Sequence, residues 1–290
     1  MKRKSDSDLE PGLYIVATPI GNMGDMTERA RDILGKVDAI ACEDSREAGK
    51  LTTAYGIKID KIPYHDHNAD ETRPRLIAML KEGARIALIS DAGMPLISDP
   101  GFKLVEQAVE EGIHVTCAPW ATASLTALVL LGLPSDRFMF AGFLPPKTVA
   151  RKAALSEVKD IQATLIFYET APRLLESLRD MQEMLGERKA AVARELTKKF
   201  EEVRRGTFTE LVKHYDAAGA PKGEIVIVVE APRAGAVETW DDAAVDKLIL
   251  KMMDEEGMGV KDAAGFAAAK SGRRKSDLYQ RALLLKGKRT

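Results

Sequence analysis

The chain has 290 residues, of which 45% are hydrophobic and 30% charged, and its formal net charge is −1. That length gives room for two domains and a small appendage, and the near-neutral balance excludes a uniformly basic nucleic-acid binder. The longest apolar run, 121–133, is too short to span a bilayer and is interrupted by Thr122, Ser124 and Thr126.

In chain order, residues 1–11 are expected to be disordered. Their polar, mixed-charge character lacks the apolar centre of a signal peptide, which points to a cytoplasmic protein. Gly12 to Thr18 reads as a first strand. The loop Pro19 to Thr27 carries glycines, and Thr27 suits the N-cap of a helix running to Lys36. A strand over Val37–Cys42 precedes the polar cluster Glu43-Asp44-Ser45-Arg46 and a helix to Tyr55. A short strand, Lys61–Tyr64, leads into His65-Asp66-His67-Asn68 and a helix over Glu71–Glu82. Arg85–Ile89 reads as a buried parallel strand, Phe102–Glu111 as a helix and His114–Cys117 as a further strand. Such alternation predicts a mainly parallel sheet with helices on its faces.

A second α/β part follows. It comprises a helix over Ala121–Leu131, strands at Arg137–Ala141 and Ala163–Tyr168, and a helix from Pro172 to Leu185, with Pro172 in its first turn. Lys189–Arg194 and Glu224–Glu230 are strands, Glu201–Phe208 is expected to add an antiparallel strand, and Glu210–Ala217 a helix. Ala231–Ala236 reads as a linker. Beyond it come three helices, Asp242–Glu255, Lys261–Ala269 and Lys275–Leu285, the last two with helix-turn-helix-like spacing. The expected domains are therefore 12–119 and 120–232, both α/β with a ligand cleft between them, and a linker with helical tail over 233–290.

The loop Ser90 to Gly101 is the most informative segment. It holds two Asp, two Gly and two Pro after the carboxyl end of a strand, where open α/β sheets bind ligands. It also exceeds the about two to six residues usual for a strand-to-helix turn. Between Lys270 and Thr290 there are eight Lys or Arg and one acid, Asp277, a local field suited to phosphates or simply a solvated helical face. Cys42 and Cys117 sit in apolar strand-like runs and are expected to be buried free thiols without zinc spacing. His65 and His67 with one Asp form an incomplete metal set, so no metal is expected, and that loop suits substrate contact or a solvated turn.

Several segments in order, from Leu13 to Glu230, carry a resemblance. They are Thr18-Pro19-Ile20-Gly21-Asn22, Glu43 to Arg46, Ser90 to Gly101, Leu133-Pro134-Ser135-Asp136-Arg137-Phe138, Gly142-Phe143-Leu144-Pro145, Tyr168-Glu169-Thr170-Ala171-Pro172 and Arg194-Glu195-Leu196-Thr197-Lys198. The chain resembles the branch of the tetrapyrrole-methylase superfamily that methylates small-subunit ribosomal RNA, and the tail also fits. The resemblance implies two α/β domains with S-adenosylmethionine (SAM) bound between them. It also implies 2′-O-methylation of a cytidine ribose in the decoding region of 16S rRNA, with the 30S subunit as partner and a homodimer as the assembly. Carried over by motif, Pro19, Gly21, Asp91, Gly93, Met94, Thr122, Ala123, Phe167, Leu196 and Gly223 are the expected donor-site residues. Glu43, Asp44, Glu169 and Glu195 are the candidates for a catalytic base, among which the sequence does not choose. Arg46, Arg194, Lys198, Arg273, Arg274 and Lys275 are candidates for RNA contact. One position departs from the pattern: Trp120 follows Pro119 where the family has glycine, which puts the donor-site geometry at that edge in question. The competing readings are a tetrapyrrole C-methyltransferase of the same superfamily and a DNA-binding regulator acting through its tail.

Overall fold

A computed structural model describes residues 9–232 and 241–287. The chain divides into two compact units, Met1–Ala231 and Pro232–Thr290. Most of the expected disordered N-terminus and the expected linker segment 233–236 lie outside the described residues.

Alternation along the first strand, β1 (Gly12–Val16), sets the first sheet. Leu13 and Ile15 enter one apolar cluster and Tyr14 and Val16 another, so both faces of the strand are covered. The helices divide accordingly. Helix α1 (Glu28–Leu34) and α2 (Ser45–Ala54) supply Ile33, Leu34 and Ala48 to the Tyr14 side. Helix α3 (Ala69–Lys81) and α4 (Phe102–Glu110) supply Leu76, Leu80 and Leu104 to the Leu13 side. The remaining strands are β2 (Ala39–Cys42), β3 (Lys61–Pro63), β4 (Arg85–Ile89) and β5 (Val115–Ala118). All five run parallel in the order β3-β2-β4-β1-β5. Their carboxyl ends therefore face one way, and β4 and β1 are central.

The second sheet is mixed. Helix α5 (Ala123–Leu130) leads to β6 (Phe138–Phe143), α6 (Thr148–Val158), β7 (Thr164–Thr170), α7 (Leu174–Leu185), β8 (Lys189–Arg194), β9 (Glu202–Thr207), α8 (Phe208–Ala218) and β10 (Glu224–Val229). The strand order is β6-β7-β10-β8-β9, with β6 and β7 parallel and the other pairs antiparallel. One face packs on α6, α7 and α8 through residues such as Leu155, Leu178 and Phe208. The other face packs on α5 and on Ile20, which comes from the loop after β1. The two sheets thus share apolar contacts within one compact unit.

Two sequence expectations change. Helix α6 was not expected, and Cys117 is exposed rather than buried because β5 is an edge strand. Cys42, on interior strand β2, is buried, and burial pushes its thiol up to about 11. In the C-terminal unit, α9 (Asp242–Asp254), α10 (Val260–Ser271) and α11 (Lys275–Gly287) enclose Val245, Ile249, Ala264, Ala267, Leu278 and Ala282. Gly272 ends α10 in the left-handed region at φ 67° and turns the chain toward α11. No helix among the described residues is long and apolar enough to cross a membrane.

Candidate active site

The carboxyl ends of β1, β2 and β4 open onto a cavity of about 660 Å³, whose far wall comes from β7, the loop after β8 and the start of β10. A volume of that size suits one cofactor-sized molecule. The loop after β4 is tied to the loop after β1: Thr18 and Gly93 exchange main-chain hydrogen bonds of 2.8 and 3.1 Å. Gly93 takes φ 82°, and a Cβ there would lie 3.2 Å from Ile20 Cγ2, so glycine lets the loop close on its neighbour. Across the cavity, Gly223 at φ 99° leaves room for the Glu195 carboxylate, which a Cβ would meet at 2.3 Å. Leu96, Ser98, Glu195 and Thr197 also have positive φ, between 51° and 71°. All four lie in the loops after β4 and β8, where strained backbone is held by its surroundings.

Acidic groups mark the rim on the first sheet's side. Glu43, Asp91 and Asp99 all line the cavity. Burial, and then the other acids, push all three above the ordinary carboxylate range, with Asp99 reaching about 6. Asp91 accepts a hydrogen bond from the Asp44 main-chain N–H at 3.2 Å. Asp44 itself caps α2 and pairs with Arg46 at 2.7 Å, and the Arg46 hydrogen bonds hold its carboxyl at about 2. On the opposite wall, Tyr168 stacks edge-on against Phe140 and Phe143, with centroids 4.7 and 5.5 Å away. Burial raises the Tyr168 phenol.

The expected donor residues fall into two groups. Asp91, Gly93, Met94, Thr122, Ala123, Leu196 and Gly223 line the cavity. Pro19 and Gly21 do not, although Ile20 between them does. A Cβ on Gly21 would sit 2.4 Å from Lys198 Cγ, so glycine there serves the close approach of two loops. Phe167 is also absent from the lining. Strand alternation sends its side chain into the α6–α8 core and turns Tyr168 to the cavity.

Of the four candidate bases, Glu43 and Glu169 line the cavity and Asp44 and Glu195 do not. Glu169 is buried and engaged by the Thr170 N–H, the Ser177 hydroxyl and Arg173. Glu195 pairs with Lys198 at 3.0 Å, which lowers its carboxyl, and accepts from the Glu224 N–H. Asp99, Tyr168 and Phe143 were not singled out from the sequence, although each sits in a quoted motif. The sequence signals are the Ser90–Gly101 loop for Asp99, the Gly142–Pro145 motif for Phe143 and the Tyr168–Pro172 motif for Tyr168; burial and facing are not visible there.

The candidate RNA residues are also separated. Arg46 is paired yet 85% exposed along its side chain. Arg194 pairs with Glu202, Lys198 with Glu195 and Glu224, and Arg273 with Asp242. Arg274 and Lys275 are exposed at the start of α11. His65 and His67 pack edge-on with centroids 6.0 Å apart, on the loop after β3. Trp120 is 47% exposed and does not line the cavity.

The residues present fit SAM. Carboxylates suit its cationic sulfonium and ammonium groups, Ile20, Met94 and Leu196 give apolar walls, and the cradle at Gly93 would be filled by any Cβ. Comparison with known proteins agrees. The family model described as Tetrapyrrole (Corrin/Porphyrin) Methylases matches residues 12–212, and that of the RsmI C-terminal HTH domain matches 240–286. The chain is 51% identical to "Ribosomal RNA small subunit methyltransferase I" of Mesorhizobium japonicum, covering 96% of this chain and 93% of that one. It is 43% identical to the protein of the same name from Escherichia coli O157:H7, over 99% and 100% of the two chains. Two solved structures share the fold. Diphthine synthase superposes with a TM-score of 0.60 at 15% identity, covering 76% of this chain and 89% of its own. Uroporphyrin-III-C-methyltransferase from Thermus thermophilus gives 0.54 at 21%, covering 75% and 94%. With two sheets meeting at a cavity made from the expected loops, and with that coverage, the chain belongs to the tetrapyrrole methylase family of SAM-dependent methyltransferases.

Proposed function

We propose that this chain methylates the ribose 2′-hydroxyl of a cytidine in the decoding region of 16S rRNA, as the RNA itself or in the 30S subunit. Coverage carries the reading. The relatives named for ribosomal RNA align over nearly the whole chain, helical unit included, whereas the uroporphyrin enzyme covers 75% of this chain with 94% of itself. About a quarter of the chain thus lacks a counterpart in the tetrapyrrole-methylating structure, which counts against the tetrapyrrole alternative.

The bound donor supplies a methyl group on a sulfonium sulfur. The chain's own residues then align an acceptor oxygen with that carbon, and alignment alone can supply much of the acceleration. Asp91, Gly93 and Met94 hold the donor side, and Thr122, Ala123, Leu196 and Gly223 close it. Arg274 and Lys275 are offered for phosphate contact, and so is Arg46, which stays exposed beyond its pair with Asp44. Arg194, Lys198 and Arg273 already satisfy carboxylates, so their role toward RNA is to keep loops in place with charge in reserve. The same reading places the protein in the cytoplasm, as a homodimer by family resemblance.

The test is methyl transfer from radiolabelled SAM to unmodified 30S subunits, with naked 16S rRNA and porphyrin precursors in parallel. Label in the subunit alone or in the RNA supports the reading. Label in a porphyrin precursor and none in RNA contradicts it.

A further inference from the structure

The carboxylates in and around the cavity are not equivalent. Asp44 is held by Arg46, Glu195 by Lys198, and Glu169 by Arg173, Ser177 and the Thr170 N–H. Glu224 pairs with Lys198 at 2.5 Å. Asp91 holds the Asp44 N–H and belongs to the donor loop. Glu43 and Asp99 remain; both line the cavity, but their neighbours differ. The charged groups acting on Glu43 are Asp91, Asp66, His65 and Asp44, all on loops of the first sheet. Those near Asp99 are Glu43 and Asp91 on one side and Tyr168 of β7 on the other, with the Ser90 hydroxyl beside it. The preceding residue, Ser98, has φ 66°, and its Oγ lies 3.7 Å from where a Cβ on Gly142 of β6 would stand. A strained loop from the first sheet thus carries Asp99 to the wall formed by the second.

We propose that Asp99 is the general base that takes the proton from the acceptor ribose 2′-hydroxyl. The assignment rests on the functional reading given above. As the 2′-oxygen forms its bond to the methyl carbon, the donor's sulfur–carbon bond breaks and its electron pair stays on sulfur. The O–H electron pair stays on the oxygen, the proton passes to the Asp99 carboxylate, and Asp99 later returns it to water. Burial holds this carboxyl at about 6, close enough to neutrality to accept a proton and still be ionised at the working pH. The Ser90 hydroxyl lies beside it, and Tyr168 lines the cavity from the second sheet.

Single-turnover methylation of 30S subunits with labelled SAM, followed from about pH 5 to 8, tests the assignment. The wild-type rate should fall about tenfold per pH unit below about 6, because the protonated carboxyl accepts no further proton. Asp99→Asn should transfer methyl about a hundredfold or more slowly near neutral pH and show no inflection, with SAM affinity by calorimetry within about twofold of wild type. Glu43→Gln should keep the inflection. An Asp99→Asn protein with the wild-type rate, with the inflection retained, or with SAM binding weakened about tenfold overturns the assignment; the last result makes Asp99 a donor ligand instead. If the wild-type protein labels no RNA at all, the functional reading fails first and the assignment falls with it.

Discussion

Asp91 serves two loops at once: it faces the cavity and it accepts the Asp44 N–H at 3.2 Å. Asp91→Ala removes a charged acceptor, worth about 1.5–3 kcal/mol when it is hydrogen-bonded, so SAM affinity should drop about tenfold or more. Calorimetry on a folded variant checks this, and unchanged affinity would remove Asp91 from the donor site. Trp120 behaves differently. Its indole is 47% exposed and stands outside the cavity lining, so the departure from the family's glycine leaves the donor pocket open. Trp120→Gly should leave SAM affinity unchanged or slightly higher; a large loss, read by the same titration, would make the indole a wall of the site. At this scale, the loops were legible and the facing of single side chains was not. Gly93 and Asp91 announced themselves because a long Gly/Pro/Asp loop after an apolar strand has few other uses. Phe167 and Tyr168 are adjacent, equally aromatic and on opposite faces, and only the pairing register of β7 decides which one meets the ligand. Asp99 sits in a segment already marked, yet its shift comes from burial that composition does not reveal.

Helix α6 shows why an element was missed. Its inward positions are Arg151, Leu155 and Val158, so a charged residue stands in the apolar stripe. Arg151 is fully buried, donating to Asp180 of α7 at 2.6 Å and to the Pro146 carbonyl at 3.1 Å. Sequence periodicity reads that arginine as surface; the structure spends it on a buried pair between two helices. Removing Arg151 takes from Asp180 its 2.6 Å partner and leaves it Lys152 at 3.7 Å, at a cost of up to about 3–5 kcal/mol. Arg151→Met should therefore lower the melting temperature by roughly 6–20 °C, and Arg151→Met with Asp180→Leu should recover much of the loss. Scanning calorimetry decides; a single variant that melts with the wild type would show the pair contributes little. Elements whose inner face is wholly apolar, such as β4 and β10, were legible because burial on both sides leaves no polar alternation to confuse them. The exposure of Cys117 was hidden for a related reason: an apolar strand does not declare whether it lies at a sheet's centre or its edge.

For the molecule as a whole, an α/β unit holds the cavity and a helical unit has its own core. Of the basic residues in the tail, Arg273 and Arg281 are committed to Asp242 and Asp246, while Lys270, Arg274, Lys275 and Lys286 are exposed. Contacts from such groups to phosphate release counterions, so binding that depends on them weakens with salt. Deletion of residues 233–290 should keep SAM affinity but weaken binding to the 30S subunit and flatten its salt dependence. Light scattering should accompany that measurement, to separate lost RNA contact from a lost dimer. Full methylation across a salt series by the folded truncated protein would leave the tail without a part in substrate capture. The central claim, transfer to a ribose oxygen of small-subunit RNA, is tested most directly by the chemical identity of the product. Unmodified 30S subunits treated with labelled SAM and this protein, digested to nucleosides and resolved by mass spectrometry, should yield label in 2′-O-methylcytidine. Label on a nucleobase, on another ribose, or in no nucleoside would contradict the account.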